Sequence, residues 1–284
     1  MKYRALKEAI RRGDLVTGTW AQIGSPETVE ILAHSGFDFL IIDTEHGYFG
    51  VEGAENLIRA ADAVGVPVIV RVQDKNPTLI MKALDLGAQG ILVPQVSTRE
   101  DALRAVQAAK YGPEGNRGAC PCVRAAGYLT DDWSAFARRS NEDTLVFLLV
   151  EGVDGVRNFE EIASVDGVDA IMVGPFDLSV ALGVGGQMDH PLVMEKMEQM
   201  VRIAREKGVA TVSVVFDPDL ERMADKAAAW IRKGVRIVTV ETDKIMLSHV
   251  FRLVAKALNQ LRESESGGCD RCKAMRSWDG SSGS

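Results

Sequence analysis

Residues 41–50 read IIDTEHGYFG, an apolar run that ends in Asp43, Glu45 and His46 within four positions. Three more apolar runs end the same way. VPVIV meets Arg71, LVFLLV meets Glu151, and AIMV leads into Gly174, Pro175, Phe176 and Asp177. A run from 235 to 240 meets Glu241, with Asp243 beyond. Two carboxylates on neighbouring strand ends, Glu151 and Asp177, can share a divalent cation, because hard oxygen ligands suit Mg²⁺ or Mn²⁺ and leave positions for water and substrate. Co²⁺ is a further candidate. His46 is the only histidine near a strand end, and Asp43 beside it can fix its tautomer and raise its basicity, as general acid–base catalysis requires. An arginine closing a buried strand needs an anion to face. Arg71 can meet a substrate carboxylate or bridge to Glu45.

Each of these residues also has a plain structural explanation. A single acid at a strand end can cap a helix or pair with a surface lysine. Two acids that both follow apolar strands on neighbouring positions favour a site. His34, His190 and His249 lie in helical or inserted segments and read as capping or surface groups.

The elements that must hold these residues alternate regularly. Strand-like runs cover residues 16–20, 37–43, 66–71, 90–94, 145–151, 170–174, 210–215 and 235–240. Several are almost continuously apolar, as strands of a parallel sheet are when both faces are covered. Helical segments fill most gaps and carry start and stop signals: Ser25-Pro26-Glu27 and Gly36, Asn76-Pro77 and Gly87, Thr98 with Glu100 and Asp101, Asp217 to Asp219 and Gly234. Eight β/α units predict an α/β fold of the (β/α)8 TIM-barrel type as a single catalytic domain over residues 1–262, in preference to a doubly wound sheet. Functional groups of such barrels stand at the carboxyl ends of the strands. Two insertions interrupt the pattern, residues 111–143 and 184–191, and the stretch 117–128 is expected to fold over the barrel mouth.

The chain has 284 residues, 46% hydrophobic and 26% charged, with net charge −7. That composition supports a full core and offers no basic stripe for nucleic acid or an anionic membrane. No apolar run approaches the ~18 residues of a membrane span, and MKYRALKEAI reads as an amphipathic helix rather than a signal peptide, so a cytoplasmic protein is expected. Of the four cysteines, Cys120 and Cys122 lie in the first insertion. Cys269 and Cys272 form a CxxC in a polar tail, 263–284, that reads as flexible with free thiols.

IIDTEHG, VIVRV, KALDLGAQGILVPQV, the RG…RAAGY stretch, Glu151 with NFEEI, and VGPFDLSVALG with GQMDHP together resemble the HpcH/HpaI class II pyruvate aldolases, over roughly residues 15–258. The resemblance implies a metal-dependent carbon–carbon lyase that cleaves a 4-hydroxy-2-oxo acid reversibly to pyruvate and an aldehyde through a metal-stabilised enolate. It assigns Glu151 and Asp177 to the metal and Asp43 and His46 to acid–base catalysis. Arg71 would bind the keto oxygen. The backbone of Gly174, Pro175, Phe176 and Asp177 would hold the substrate carboxylate, with Leu149 and Cys122 lining the substrate. Asp85 would act from a neighbouring subunit, in a homohexamer built as a trimer of dimers with the C-terminal helix swapped. Lys82 and Lys110 lie on helices, which argues against a Schiff-base route. Four positions depart from the family pattern: Leu149 for a glutamine, Phe176 for an alanine, Cys120-Pro-Cys122 for a small-residue stretch, and Glu241 for a glycine. The alternatives are a related metal-dependent lyase or decarboxylase acting on a malyl-type or oxaloacetate-like substrate, and a barrel that binds an oxo acid without turning it over.

Overall fold

The computed structural model describes residues 2–265. The chain falls into two units, residues 1–244 and residues from 245 onward. Eight strands form a closed parallel barrel in sequence order: β1 (Val16–Ala21), β2 (Phe39–Asp43), β3 (Val68–Arg71), β4 (Gly90–Val93), β5 (Leu145–Val150), β6 (Ala170–Val173), β7 (Ala210–Val215) and β8 (Ile237–Thr242). This is the expected (β/α)8 barrel, and each expected strand overlaps an observed one within two residues at either end.

The helix signals act as their chemistry suggests. The Ser25 hydroxyl accepts from the Thr28 N–H at 3.3 Å and precedes Pro26 at the first helical position. Asn76 does the same for Thr78 at 2.9 Å. Thr98 and Asp101 close a reciprocal capping box, satisfying two otherwise orphaned N–H groups. His190 proves to be a cap, accepting from the Leu192 N–H at 3.2 Å through Nδ1.

Inside the barrel, alternate residues of each strand build a packed core. Phe39 and Phe147 meet edge to face with centroids 6.4 Å apart. Gly18 on β1 makes room for them, since a Cβ there would stand 2.6 Å from the Phe39 ring. The floor of this core is polar at its rim. Lys7 donates to the Thr144 carbonyl at 2.6 Å and to Asp169 at 3.2 Å, and Lys110 donates to the carbonyls of Thr144 (3.1 Å) and Asn141. Burial, together with the Lys7 charge, pushes Lys110 down to about 8. Thr144 and Asp169 precede β5 and β6, so this lysine pair sits at the amino-terminal face of the barrel.

The long insertion is shorter than the sequence suggests, because Trp133–Asp143 is helical. The rest does not cover the mouth. Arg117 pairs with Asp85 at 2.6 Å, and Arg124 pairs with Asp62 at 2.5 Å and donates to the Leu86 carbonyl at 2.9 Å. Asp85, Leu86 and Asp62 stand in the last turns of the helices that follow β2 and β3, or just beyond them, and those turns lie at the amino-terminal face. The expected lid is therefore corrected: ion pairs hold residues 117–124 at the far end of the barrel.

The second unit is described through the helix Asp243–Glu265, whose first two residues belong to the barrel unit. Val250, Phe251, Val254, Leu258 and Leu261 are each more than half exposed. Residues 266–284, including Cys269 and Cys272, lie outside the described residues. Among the described residues no helix is long and apolar enough to cross a membrane.

Candidate active site

Parallel pairing sets Asp43 directly beside Arg71, the last residues of β2 and β3. Both side chains therefore leave the sheet on the same side. Arg71 grips Asp43 with two parallel bonds, Nε to Oδ1 at 2.8 Å and Nη2 to Oδ2 at 2.5 Å, the bidentate geometry that favours arginine for such pairs. Asp43 also accepts from Gln22 Nε2 at 2.8 Å and from the N–H groups of Glu45 (3.1 Å) and His46 (3.2 Å). Its side chain has no exposed surface. Burial alone would push Asp43 up, but the hydrogen bonds and charge of Arg71 outweigh it and hold the carboxyl below its ordinary value. Burial likewise opposes the Arg71 charge, and Asp43 overcomes it, so both partners stay ionised.

Glu45 extends the pair. Its Oε2 lies 3.0 Å from Arg71 Nη1, an ion-pair distance without hydrogen-bond alignment. Gln95 Nε2 donates to its other oxygen at 3.3 Å. Burial raises Glu45 above its ordinary value despite Arg71. Below the guanidinium, the Trp20 ring of β1 lies 4.8 Å away. Lys244 tethers the same turn, donating to the His46 carbonyl at 3.3 Å and lying 4.3 Å over the Tyr48 ring.

The expected contact between Asp43 and the imidazole of His46 is corrected here. Asp43 meets His46 through the main-chain N–H, and its oxygens are already filled by Arg71, Gln22 and two backbone groups. The His46 side chain is exposed at the mouth. Arg71 faces two carboxylates of the protein itself, so the Glu45 bridge forms.

Across the mouth stand the other acids. Glu151 follows β5 and accepts the Gln95 N–H at 2.9 Å through Oε1. Gln95 delivers that N–H from a left-handed backbone, φ 56°. Gly174, after β6, passes so close that a Cβ there would lie 2.9 Å from Glu151 Cβ and 3.3 Å from Leu149 Cδ1. Asp177 sits in the first turn of the helix Pro175–Ala181, exposed toward solvent, and the first-turn N–H groups around Phe176 have no acceptor within so early a part of the helix. Burial, with the charges of Asp177 and Glu45, pushes Glu151 up to about 7. Leu149 is buried beneath this group, and Phe176, 53% exposed, forms its rim.

The structure thus gathers Asp43, Glu45, His46, Arg71, Leu149, Glu151, Gly174, Pro175, Phe176 and Asp177 at the carboxyl ends of β2, β3, β5 and β6. It does not gather Asp85 or Cys122, which stand on the amino-terminal face of the same chain. Cys122 is exposed there, so its expected place in the substrate site of its own barrel is corrected. Gln22, Gln95, Trp20 and Lys244 are the neighbours that sequence reasoning missed. Each stands within two residues of a strand's carboxyl end, but an amide, an indole or a lone lysine in such a place carries no pattern of its own. Among the described residues no cluster of three or more His, Cys, Asp or Glu is arranged around one point.

The model of the HpcH/HpaI aldolase/citrate lyase family matches residues 17–244, and the chain belongs to that family of carbon–carbon lyases. A hydroxypyruvate/pyruvate aldolase of Roseobacter denitrificans is 33% identical over 255 residues, covering 89% of this chain and 96% of the relative. Among solved structures, an HpcH/HpaI aldolase/citrate lyase family protein from Burkholderia cenocepacia J2315 superposes with a TM-score of 0.82 at 32% identity, covering 91% of this chain and 99% of that one. The citrate synthase SbnG superposes with a TM-score of 0.79 at 30% identity, covering 92% and 98%.

Replacing Asp43→Asn keeps the shape of the pair but leaves Arg71 buried against Glu45 alone. The expected cost is about 3–5 kcal/mol of folding stability, the usual penalty for breaking a buried pair on one side. Urea unfolding measures it, and a loss below about 1 kcal/mol would remove the pair from the centre of the site.

Proposed function

We propose that the chain catalyses reversible aldol cleavage of a 4-hydroxy-2-oxo acid to pyruvate and an aldehyde. The observation that carries this reading is Glu151, raised to about 7 by burial and by Asp177, facing an arginine with donors to spare. Arg71 has five N–H groups and donates two to Asp43, while Nη1 meets Glu45 as an ion pair only, which leaves donors for an oxygen in the mouth.

Glu151 and Asp177 fit a divalent cation. Burial, and after it the charges of Asp177 and Glu45, raises the Glu151 carboxyl to about 7, and a bound cation would take the place of that proton. Aldolases of this family generally use a divalent metal ion. Mg²⁺, Mn²⁺ and Co²⁺ all suit two hard oxygens. Held by Glu151 and Asp177, such an ion would supply Lewis acidity to the substrate.

The chain's own groups do the rest. The N–H groups around Phe176 and Asp177 hold the substrate carboxylate. His46 accepts the C4 hydroxyl proton, the C3–C4 bond breaks, and its electron pair moves toward C2. Arg71 meets the negative charge that develops on the keto oxygen. Asp43 acts through Arg71 and the His46 main chain, keeping both in place. His46 then returns a proton to C3. Lys110 has a lowered pKa but sits at the opposite face, so no Schiff-base role is assigned to it.

A second reading is favoured by the likeness to a citrate synthase: the same groups could serve a related lyase or decarboxylase with a malyl-type or oxaloacetate-like substrate. We further propose a homohexamer, a trimer of dimers with exchanged C-terminal helices. Support comes from the exposed apolar stripe at residues 247, 250, 251, 254, 258 and 261. Light scattering on the purified protein should give the mass of six chains; the mass of one chain would overturn it.

In a retro-aldol assay with a panel of 4-hydroxy-2-oxo acids, oxaloacetate and malyl thioesters, pyruvate release should stop in EDTA and return with Mn²⁺. Full activity in EDTA would end the metal claim, and turnover of oxaloacetate alone would move the assignment to the second reading. The pH dependence has a definite sign. Glu151 must lose its proton to bind a cation, so Mn²⁺ affinity should rise about tenfold from pH 6 to pH 8, one proton of pKa about 7 being displaced. Calorimetric titration in the two buffers checks this, and equal affinities would contradict it.

A further inference from the structure

Gln95 adopts φ 56°, a backbone conformation that L side chains rarely take and glycine takes freely. The conformation has a clear product: it turns the Gln95 N–H onto Glu151 Oε1 at 2.9 Å. A glycine would deliver the same N–H without strain. The side chain therefore needs its own explanation, and strain of this kind concentrates at functional positions.

The side chain stands in the open mouth. The next residue, Val96, donates its N–H to the Leu149 carbonyl at 3.0 Å, so Gln95 is fixed directly above the end of β5. From there its Nε2 reaches Glu45 at 3.3 Å, a long contact on the exposed side of the site that a ligand can replace. Its Oε1 meets no other group among the described residues. The amide holds Glu45, the residue before His46, which puts it on the side of the mouth where the aldolase reading has the C4 hydroxyl meet His46. The other polar groups of the mouth have roles already in the aldolase reading: Arg71 meets the keto oxygen and His46 takes the C4 hydroxyl proton. Leu149 and Phe176 are apolar, and Asp43 is consumed by Arg71, Gln22 and main-chain N–H groups.

Resting on the aldolase reading, we infer that Gln95 is a specificity-determining residue for the aldehyde half of the substrate. Its amide pairs one donor and one acceptor with a hydroxyl on the carbon beside the aldehyde carbonyl. The preferred electrophile is then an uncharged α-hydroxyaldehyde, and the matching oxo acid carries hydroxyls at C4 and C5. Glu45 and Glu151 beside the amide disfavour an aldehyde bearing its own carboxylate.

The experiment compares aldol addition of pyruvate to lactaldehyde and to propanal, which differ only in that hydroxyl, using the Mn²⁺-loaded full chain. The unmodified protein should prefer lactaldehyde in kcat/KM by about three- to tenfold, the value of one neutral hydrogen bond. In Gln95→Met, of similar length and lacking the amide, the ratio should fall to near one. Gln95→Gly, which relieves the backbone and keeps the N–H on Glu151, should lose the preference in the same way, so a folding defect in Gln95→Met cannot imitate the result. A preference retained in both variants, or absent from the unmodified protein, overturns the inference. Exchange of the pyruvate methyl protons in D2O by the unmodified protein keeps the two readings apart. Exchange without hydroxyl preference defeats the Gln95 role alone, and no exchange defeats the aldolase reading along with it.

Discussion

The pair between Asp43 and Arg71 is the constraint on which the site depends. It lies at the end of two buried strands, where an unpaired charge would be costly. Register in a parallel sheet brings the two residues together without any loop, so the pair is set by the barrel itself. Everything on that side of the mouth then hangs from it. Asp43 ties down Gln22 from the first loop and the main chain of Glu45 and His46. Asp243 does a related task at the first loop, accepting from the N–H groups of Gln22 and Ile23 at 2.9–3.0 Å.

The two sides of the mouth differ in kind. On the side of β2 and β3, Asp43 and Arg71 are matched and both held in their ionised forms, with Glu45 alongside. On the side of β5 and β6, burial and the charges of Asp177 and Glu45 raise Glu151, against the Gln95 N–H and the charge of Arg71. A satisfied half gives rigid orientation, and the other half, with its raised carboxyl, is the one to which the proposed function assigns the cation. The two are linked by Gln95, whose amide reaches Glu45 and whose N–H reaches Glu151.

Much of this was legible in the sequence. The eight apolar runs, the caps at Ser25, Asn76 and Thr98, and the charged strand ends all obey local rules, and tertiary structure did not override them. What could not be read was which way polar groups turn once assembled. The sequence places Asp43 three residues before His46 and invites a side-chain pair, but β3 offers a guanidinium in register, and a bidentate partner wins over an imidazole. The insertion at 111–143 failed for a similar reason. Its arginines gave no hint that Asp62 and Asp85, at the ends of distant helices, would capture them and draw the segment to the opposite face. Gln95 and Lys244 are single residues without pattern, and only the fold gives them meaning.

Two non-glycine residues at the carboxyl ends of strands share left-handed backbones, Gln95 after β4 at φ 56° and Glu241 in β8 at φ 47°. Glu241 sits where the pairing of β1 with β8 skips a residue, Thr19 facing Val240 and Trp20 facing Thr242. This bulge explains why a glycine would suit the position. Glu241 uses its carboxylate to accept the Asp217 N–H at 2.6 Å, fixing the start of the loop after β7. In both cases local conformational preference yields to a bond that only this backbone can aim. Where a sequence departs from its own local rules at the mouth of a barrel, the departure marks a side chain with a task there. For Glu241 that task is structural, since its Oε1 is engaged by the main chain. For Gln95 the main-chain N–H meets the structural need, which leaves the exposed amide for the specificity role inferred for it.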